Sequence, residues 1–155
     1  MNTSPIDRRN NAEAGQSLVE VAIGMIVLLV IFSGLVDFGR AYFAYIAIED
    51  AANEGATFLS IRPGCQEAVS DGSDTGCDDP NNAFFRAQNA SSGDINWDNA
   101  EITVSRSGFA VGDPVTVTIT YRLPLVTPFL PPILGTNHIT LTSTASHIII
   151  TEKVN

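Results

Sequence analysis

From Val21 to Val36 the chain reads VAIGMIVLLVIFSGLV, sixteen residues without a charge, and this run constrains the fold more than any other feature. Extended back to Leu18 it covers nineteen residues interrupted only by Glu20. As an α-helix rising about 1.5 Å per residue, such a segment reaches roughly 28 Å, close to the ~30 Å hydrocarbon thickness of a bilayer. A membrane span from about residue 18 to 36 is therefore expected. Composition agrees: a mean hydropathy of +0.16 beside a net charge of -9 requires the apolar residues to be concentrated somewhere, and they lie near the start. The 155 residues suffice for one domain of ordinary size. Eight Lys+Arg and a pI near 4.4 leave no basic face for phosphate contacts, which excludes nucleic acid as a partner.

The flanks orient the span. Asp37 and Arg40 follow it at i,i+3 spacing, where they can pair, and Phe38, Tyr42, Phe43 and Tyr45 suit a membrane interface. Arg8 and Arg9 precede it, and Arg40 is the only basic residue between Arg9 and Arg62. The positive-inside bias then puts the amino terminus in the cytoplasm and the remainder outside.

Three readings compete for the segment: a cleaved secretory signal, a plain signal anchor, and a prepilin-type leader with a retained helix. A conventional signal needs small residues after the apolar run, and none follows closely. A small-residue site stands before it instead, Ala12-Glu13-Ala14-Gly15, followed by Gln16-Ser17-Leu18-Val19-Glu20. A cut after Gly15 would remove residues 1–15 and make Gln16 the new terminus, with Glu20 the fifth residue. A carboxylate at the edge of an apolar span costs a few kcal/mol unless it finds a partner or a proton. The α-amino group of Gln16, or that of a neighbouring subunit, would supply one and fix an axial stagger. Simple hydration of Glu20 at headgroup level is the alternative.

Gly15-Gln-Ser-Leu-Val-Glu20 ahead of an apolar run resembles the processing site of type IV-like prepilins, and GQSLVEVAI resembles TadE-like proteins of tight-adherence (Flp) pilus systems. The resemblance continues through Asp37-Phe38-Gly39-Arg40 and Ala51-Ala52-Asn53-Glu54-Gly55-Ala56, covering about Gly15 to Leu59, with a weaker echo in the carboxy-terminal strands. Two departures stand out: Gly24-Met25 where many relatives carry a proline within the apolar run, and Asn53 where the later motif commonly has an arginine. The resemblance implies prepilin peptidase, pilin or pseudopilin subunits and the Tad secretion machinery as partners. It also implies a homo- or hetero-oligomer at the cytoplasmic membrane or in an extracellular pilus.

Beyond Arg40 the helical pattern persists. Ala41, Ala44, Ala47, Ala51 and Gly55 recur every three or four residues, a small-residue stripe that permits close helix packing, with Glu49, Asp50 and Glu54 on a polar face. With no proline before Pro63, one helix over residues 16–61 is the economical reading; two helices broken at Gly34 or Gly39 are the alternative. The extracytoplasmic part, 62–155, opens with a polar stretch from Cys65 to Ser92 that reads as a loop. Cys65 and Cys77, twelve apart, form a disulfide most simply, in preference to free thiols or zinc. Asp71, Ser73, Thr75, Gly76 and Asp79 fall on a calcium-loop template, but Asn82 stands where a bidentate Glu belongs, so a solvated acidic loop is the default.

From Glu101 the period switches to two. Ile102 and Val104, then Val115 to Tyr121, then Ile139 and Leu141 toward Ile150, alternate with polar neighbours, mostly threonines. Three antiparallel strands are expected, one face covering apolar surface, such as the distal helix, and a threonine face outward. Leu123 to Leu134, LPLVTPFLPPIL, holds four of the eight prolines and is excluded from a central strand. It reads as a loop over the sheet edge or as an apolar patch that docks a partner.

The expected fold class is α+β: a long amino-terminal helix carrying a small antiparallel sheet, as in a pilin. No catalytic motif, Gly-rich phosphate loop or metal-ligand spacing appears, and His138 and His147 sit in strand context, so neither an enzyme nor a bound cofactor or metal is expected. Two functions remain: a structural pilus-assembly protein, or an unprocessed membrane-anchored binding module. A type II secretion pseudopilin fits less well, since Gln16 stands where such proteins usually begin with an aromatic residue.

Overall fold

A computed structural model describes residues 8–68, 76–91 and 95–151, with residues 8–14 described as backbone only. It shows the α+β architecture expected, a long helix followed by a three-stranded antiparallel sheet. Helix α1 (Arg8–Ile61) runs unbroken for 54 residues, about 81 Å at the standard rise. Gly24, Gly34 and Gly39 sit within it without interruption, so the two-helix alternative does not form. Each isolated glycine costs only about 1 kcal/mol relative to alanine, too little to break a helix whose other residues favour it. Arg62 still donates its N–H to the Phe58 carbonyl at 2.8 Å, and Pro63 then ends the helix by crowding the residue before it out of the α region.

Two halves of α1 differ in what they touch. Residues 15–32 are exposed on every side. From Asp37 onward one face is buried, through Ala44, Ile48, Ala51, Ala52, Ala56 and Leu59, at the three- and four-residue intervals of a single helical face. What covers that face is the sheet of β1 (Ala100–Arg106), β2 (Pro114–Pro124) and β3 (His138–Ile148), with β2 in the centre; Leu123 and Pro124, expected outside a central strand, form its last two positions, where a proline ends the ladder.

Alternation sorts the two sides of the sheet. Val115, Val117, Ile119, Tyr121 and Leu123 of β2 point at α1 and are buried; Val117 lies opposite Val104 of β1 and Ala145 of β3. Burying each such aliphatic side chain contributes about 1.5–3 kcal/mol, and together they fasten sheet to helix. On the outer face Thr118 Oγ1 meets Thr144 Oγ1 at 3.1 Å, and Thr116 donates to Ser146 Oγ at 3.0 Å, so cross-strand hydroxyls reinforce the same register.

One element lies inside the stretch read as a loop. Helix α2 (Ala83–Ala90) begins at Asn82, whose side chain accepts the Phe85 N–H at 2.7 Å, and buries Ala83 and Ala87 against α1. The loop reading is corrected there: an asparagine cap and two alanines one turn apart build a short amphipathic helix that overall polarity conceals.

Strand β2 runs antiparallel to α1, toward its exposed half. Val117 lies beside Gly55, Tyr121 and Leu123 share a cavity of about 220 Å³ with Arg40 and Ala44, and the Pro124 carbonyl accepts from Arg40 Nη1 at 3.3 Å. Strand β3 returns the other way, and the Ile150 N–H donates to the Ser60 carbonyl at 2.9 Å. The connection 125–137, containing α3 (Leu130–Leu134), therefore sits at the end of the head nearest the exposed stalk. Its stem is closed by the Leu125 N–H on the Asn137 carbonyl at 3.0 Å, and Gly135, at φ 70°, ends α3 in the left-handed conformation that glycine adopts without strain.

Candidate functional site

The surface available for function begins with the stalk. Leu18, Val19, Val21, Ile23, Met25 to Phe32, Leu35 and Val36 present large apolar side chains that no described residue covers, on a helix long and apolar enough to cross a membrane. Among the described residues α1 alone has that character. Gly15 and Gln16 are exposed and helical at its start, with open space around the Gly15 Cα. Gln16 and Glu20 are four positions apart and so share one helical face, where side chains meet across about 5–6 Å. Glu20 is exposed, at the start of the apolar segment.

Farther along, the small-residue stripe faces the chain's own head. Ala44, Ala51 and Gly55 are buried and Ala41 and Ala47 half-buried against the sheet and α2. A Cβ on Gly55 would lie 3.5 Å from Ala87 Cβ and 3.6 Å from Val117 Cγ1, so α1, α2 and β2 meet around this missing side chain.

The junction between stalk and head is built on Asp37. Its carboxylate is buried, with 2% exposure, immediately after the apolar run. Thr127 donates to Oδ2 through Oγ1 at 2.5 Å and through its N–H at 3.2 Å, while the Val126 N–H reaches Oδ1 at 3.3 Å. Arg40, the partner expected from i,i+3 spacing, stands at 3.4 Å from Oδ1. Burial by itself would push the Asp37 carboxyl up; the Thr127 hydroxyl, the two amides and the Arg40 charge outweigh it and hold the group below its ordinary value. Sequence reasoning missed Thr127. The available signal was an acid at the end of an apolar run, whose two oxygens accept more hydrogen bonds than Arg40 alone supplies.

At the opposite end of the head Cys65 and Cys77 form a disulfide, with Cα atoms 5.1 Å apart and both residues buried. Asn82 ties this bridge to α2: besides capping the helix it donates to the Cys77 carbonyl at 3.3 Å and to Asp79 Oδ1 at 2.5 Å. The Ala83 N–H donates to the Cys65 carbonyl at 3.0 Å. Arg106 Nη1 donates to the Pro63 carbonyl at 2.5 Å, and its guanidinium lies 4.4 Å from the Phe109 ring centre, closing the same end. Asp71, Ser73 and Thr75 of the calcium template lie outside the described residues. Among the described residues no group of three or more His, Cys, Asp or Glu could hold a metal ion.

A helix of this length, bare over residues 15–32 and roofed by a small antiparallel sheet over its second half, defines a stalk-and-head protein whose stalk is long and apolar enough to anchor it in a membrane. Residues 15–57 match the model of the family described as TadE-like protein. No curated protein and no solved structure matches the chain. The matched residues run from Gly15 to within four residues of the end of α1, leaving α2 and the strands outside the match.

Proposed function

We propose that this chain is a pseudopilin or minor pilin of a tight-adherence (Flp, type IV-like) pilus, cut after Gly15 by a prepilin peptidase and working by assembly rather than by catalysis. The observation that carries this reading is the stalk: an uncovered apolar helix, continuous with Gly15 and Glu20, within the segment that is TadE-like. A helix bare on all sides outside a bilayer would be unstable, so it resides in lipid or against other subunits. The amino terminus lies in the cytoplasm and the head outside the cytoplasmic membrane. Before assembly the span holds the subunit in the bilayer, and during assembly the same surface packs against pilin or pseudopilin helices delivered by the Tad machinery. Glu20 sets the axial stagger by pairing with the amino group of Gln16 on a neighbour, and the head is the outward contact surface.

The test is the intact mass of the membrane-extracted protein from its native host, beside a Gly15→Ala variant. A chain that begins at Gln16, with processing lost in the variant, supports the assignment. A chain that keeps residues 1–15 would overturn it in favour of an unprocessed, membrane-anchored binding module.

A further inference from the structure

We propose that the connection 125–137 is a second membrane contact, in which Val126, Phe129, Ile133 and Leu134 enter the interface of the leaflet on the head's side, next to the exit of the stalk. The inference rests on the reading of residues 18–36 as a bilayer span.

Depth comes from Asp37. It is the first charge after Glu20, seventeen residues along the helix, which at 1.5 Å per residue is about 26 Å and puts the Asp37 carboxylate at the edge of the hydrocarbon. The hydrogen bonds from Val126 and Thr127 hold the connection at that level, and the stalkward course of β2 brings the chain there from above.

Chemistry points the same way. Residues 123–137 carry no charge. Val126, Phe129, Ile133 and Leu134 are 65%, 54%, 71% and 52% exposed, and Phe38 stands exposed on the stalk one residue beyond Asp37. Such a patch against water is costly, and here it is continuous with a surface that already lies in lipid. Pro124, Pro128, Pro131 and Pro132 also lack the N–H donors that a backbone entering an apolar phase must otherwise satisfy, and Gly135 closes α3 by donating to the Pro131 carbonyl at 2.9 Å. A span alone would let the head swivel about one stem. A second contact fixes its tilt and so the direction in which the sheet faces neighbours.

Brominated-lipid quenching on the full chain in phosphatidylcholine vesicles tests this. In a Trp97→Phe background, Phe129→Trp and Ile133→Trp should show blue-shifted emission and stronger quenching by lipids brominated near the headgroup than by lipids brominated deep in the chain. Leu28→Trp should show the reverse preference, and Thr144→Trp, on the outer face of the sheet, should stay unquenched. Quenching of Leu28→Trp with none of Phe129→Trp or Ile133→Trp overturns the proposal and leaves the span intact, the patch then facing water or protein. No quenching at any position overturns the span, and the proposal with it. Because tryptophan itself favours interfaces, a second arm keeps the loop native: nitroxide lipids in a nanodisc should broaden the methyl resonances of Ile133 and Leu134. Sharp signals there, beside broadened ones from Ile26, would overturn it equally.

Discussion

The hydroxyl of Thr127 reaches the carboxylate of Asp37 at 2.5 Å across ninety positions of sequence, and through this contact the end of the sheet is fastened to the point where the helix leaves its apolar stretch. The carboxylate is buried, so its stability contribution depends on staying ionised and on keeping every donor.

Its pH dependence follows from the direction of the shift. Burial opposes ionisation, but the Thr127 and Val126 donors and Arg40 prevail, so the folded carboxyl binds its proton less tightly than the ordinary value of 3.8. A depressed folded value means that the stabilisation is fully present above the unfolded carboxylate range and is lost as pH falls through the folded one. Amide exchange at Val126 and Thr127 is therefore expected to stay slow from neutrality to about pH 5 and to accelerate under stronger acid. Asp37→Asn should flatten that profile, and Thr127→Val should cost about 1–3 kcal/mol by leaving a buried acceptor short of a donor. Acid-insensitive exchange in the native chain would contradict the sign.

Gly55 offers a test of packing. Its Cβ direction meets Ala87, Val117 and the Ala83 carbonyl at 3.5, 3.6 and 3.8 Å, which is ordinary contact for one methyl and too tight for more. Gly55→Ala is expected to stabilise by up to about 1 kcal/mol through helix propensity, and Gly55→Leu to destabilise by about 1–3 kcal/mol by prising α2 from α1. Urea unfolding of the full chain in micelles, read by Trp97 fluorescence, separates the two signs.

How much of this was legible beforehand depends on how local each signal is. The missing charges of 21–36 and the two-residue alternation of Val115 to Tyr121 are written in neighbouring positions, and the apolar helix, the strands and the threonine face follow from them directly. The Cys65–Cys77 bridge needed only two cysteines and an expected compartment. Helix α2 was obscured because its evidence is one cap, Asn82, and two small residues in a polar stretch; its burial is decided by what α1 presents to it. Thr127 was illegible for the stronger reason that its role exists only once β2 has run the length of the head and delivered it to Asp37. The stripe at Ala44, Ala51 and Gly55 shows a third limit: spacing reveals that something packs closely, and only the fold reveals that the head of the same chain does so.

The disulfide should behave as part of α2's foundation. Thiol labelling after non-reducing denaturation is expected to leave both cysteines unmodified, and labelling after reduction to modify both. Cys65→Ser with Cys77→Ser should cost roughly 3 kcal/mol on the loop-entropy account of a bridge of this span. Amide protection should fall first in 83–90, because Asn82 and Ala83 bond to the carbonyls of the two cysteines. Loss of protection elsewhere with α2 unaffected would refute that coupling.

Glu20 carries the assembly reading to its sharpest test. The residue is exposed at the start of the apolar half of α1, sharing a face with Gln16, and contributes nothing to the packing of the head. Glu20→Ala is therefore expected to leave folding and membrane insertion intact, since removing a carboxylate from the edge of a span makes insertion more favourable. Incorporation into pilus assemblies should nonetheless fail, because the stagger between subunits loses its ion pair. Glu20→Gln distinguishes charge from shape: retained incorporation would mean that a hydrogen bond suffices, whereas loss equal to that of Glu20→Ala would require the charge itself. Normal incorporation of Glu20→Ala, measured by co-isolation with sheared pili from the native host, would end the register role and leave the span as an anchor alone.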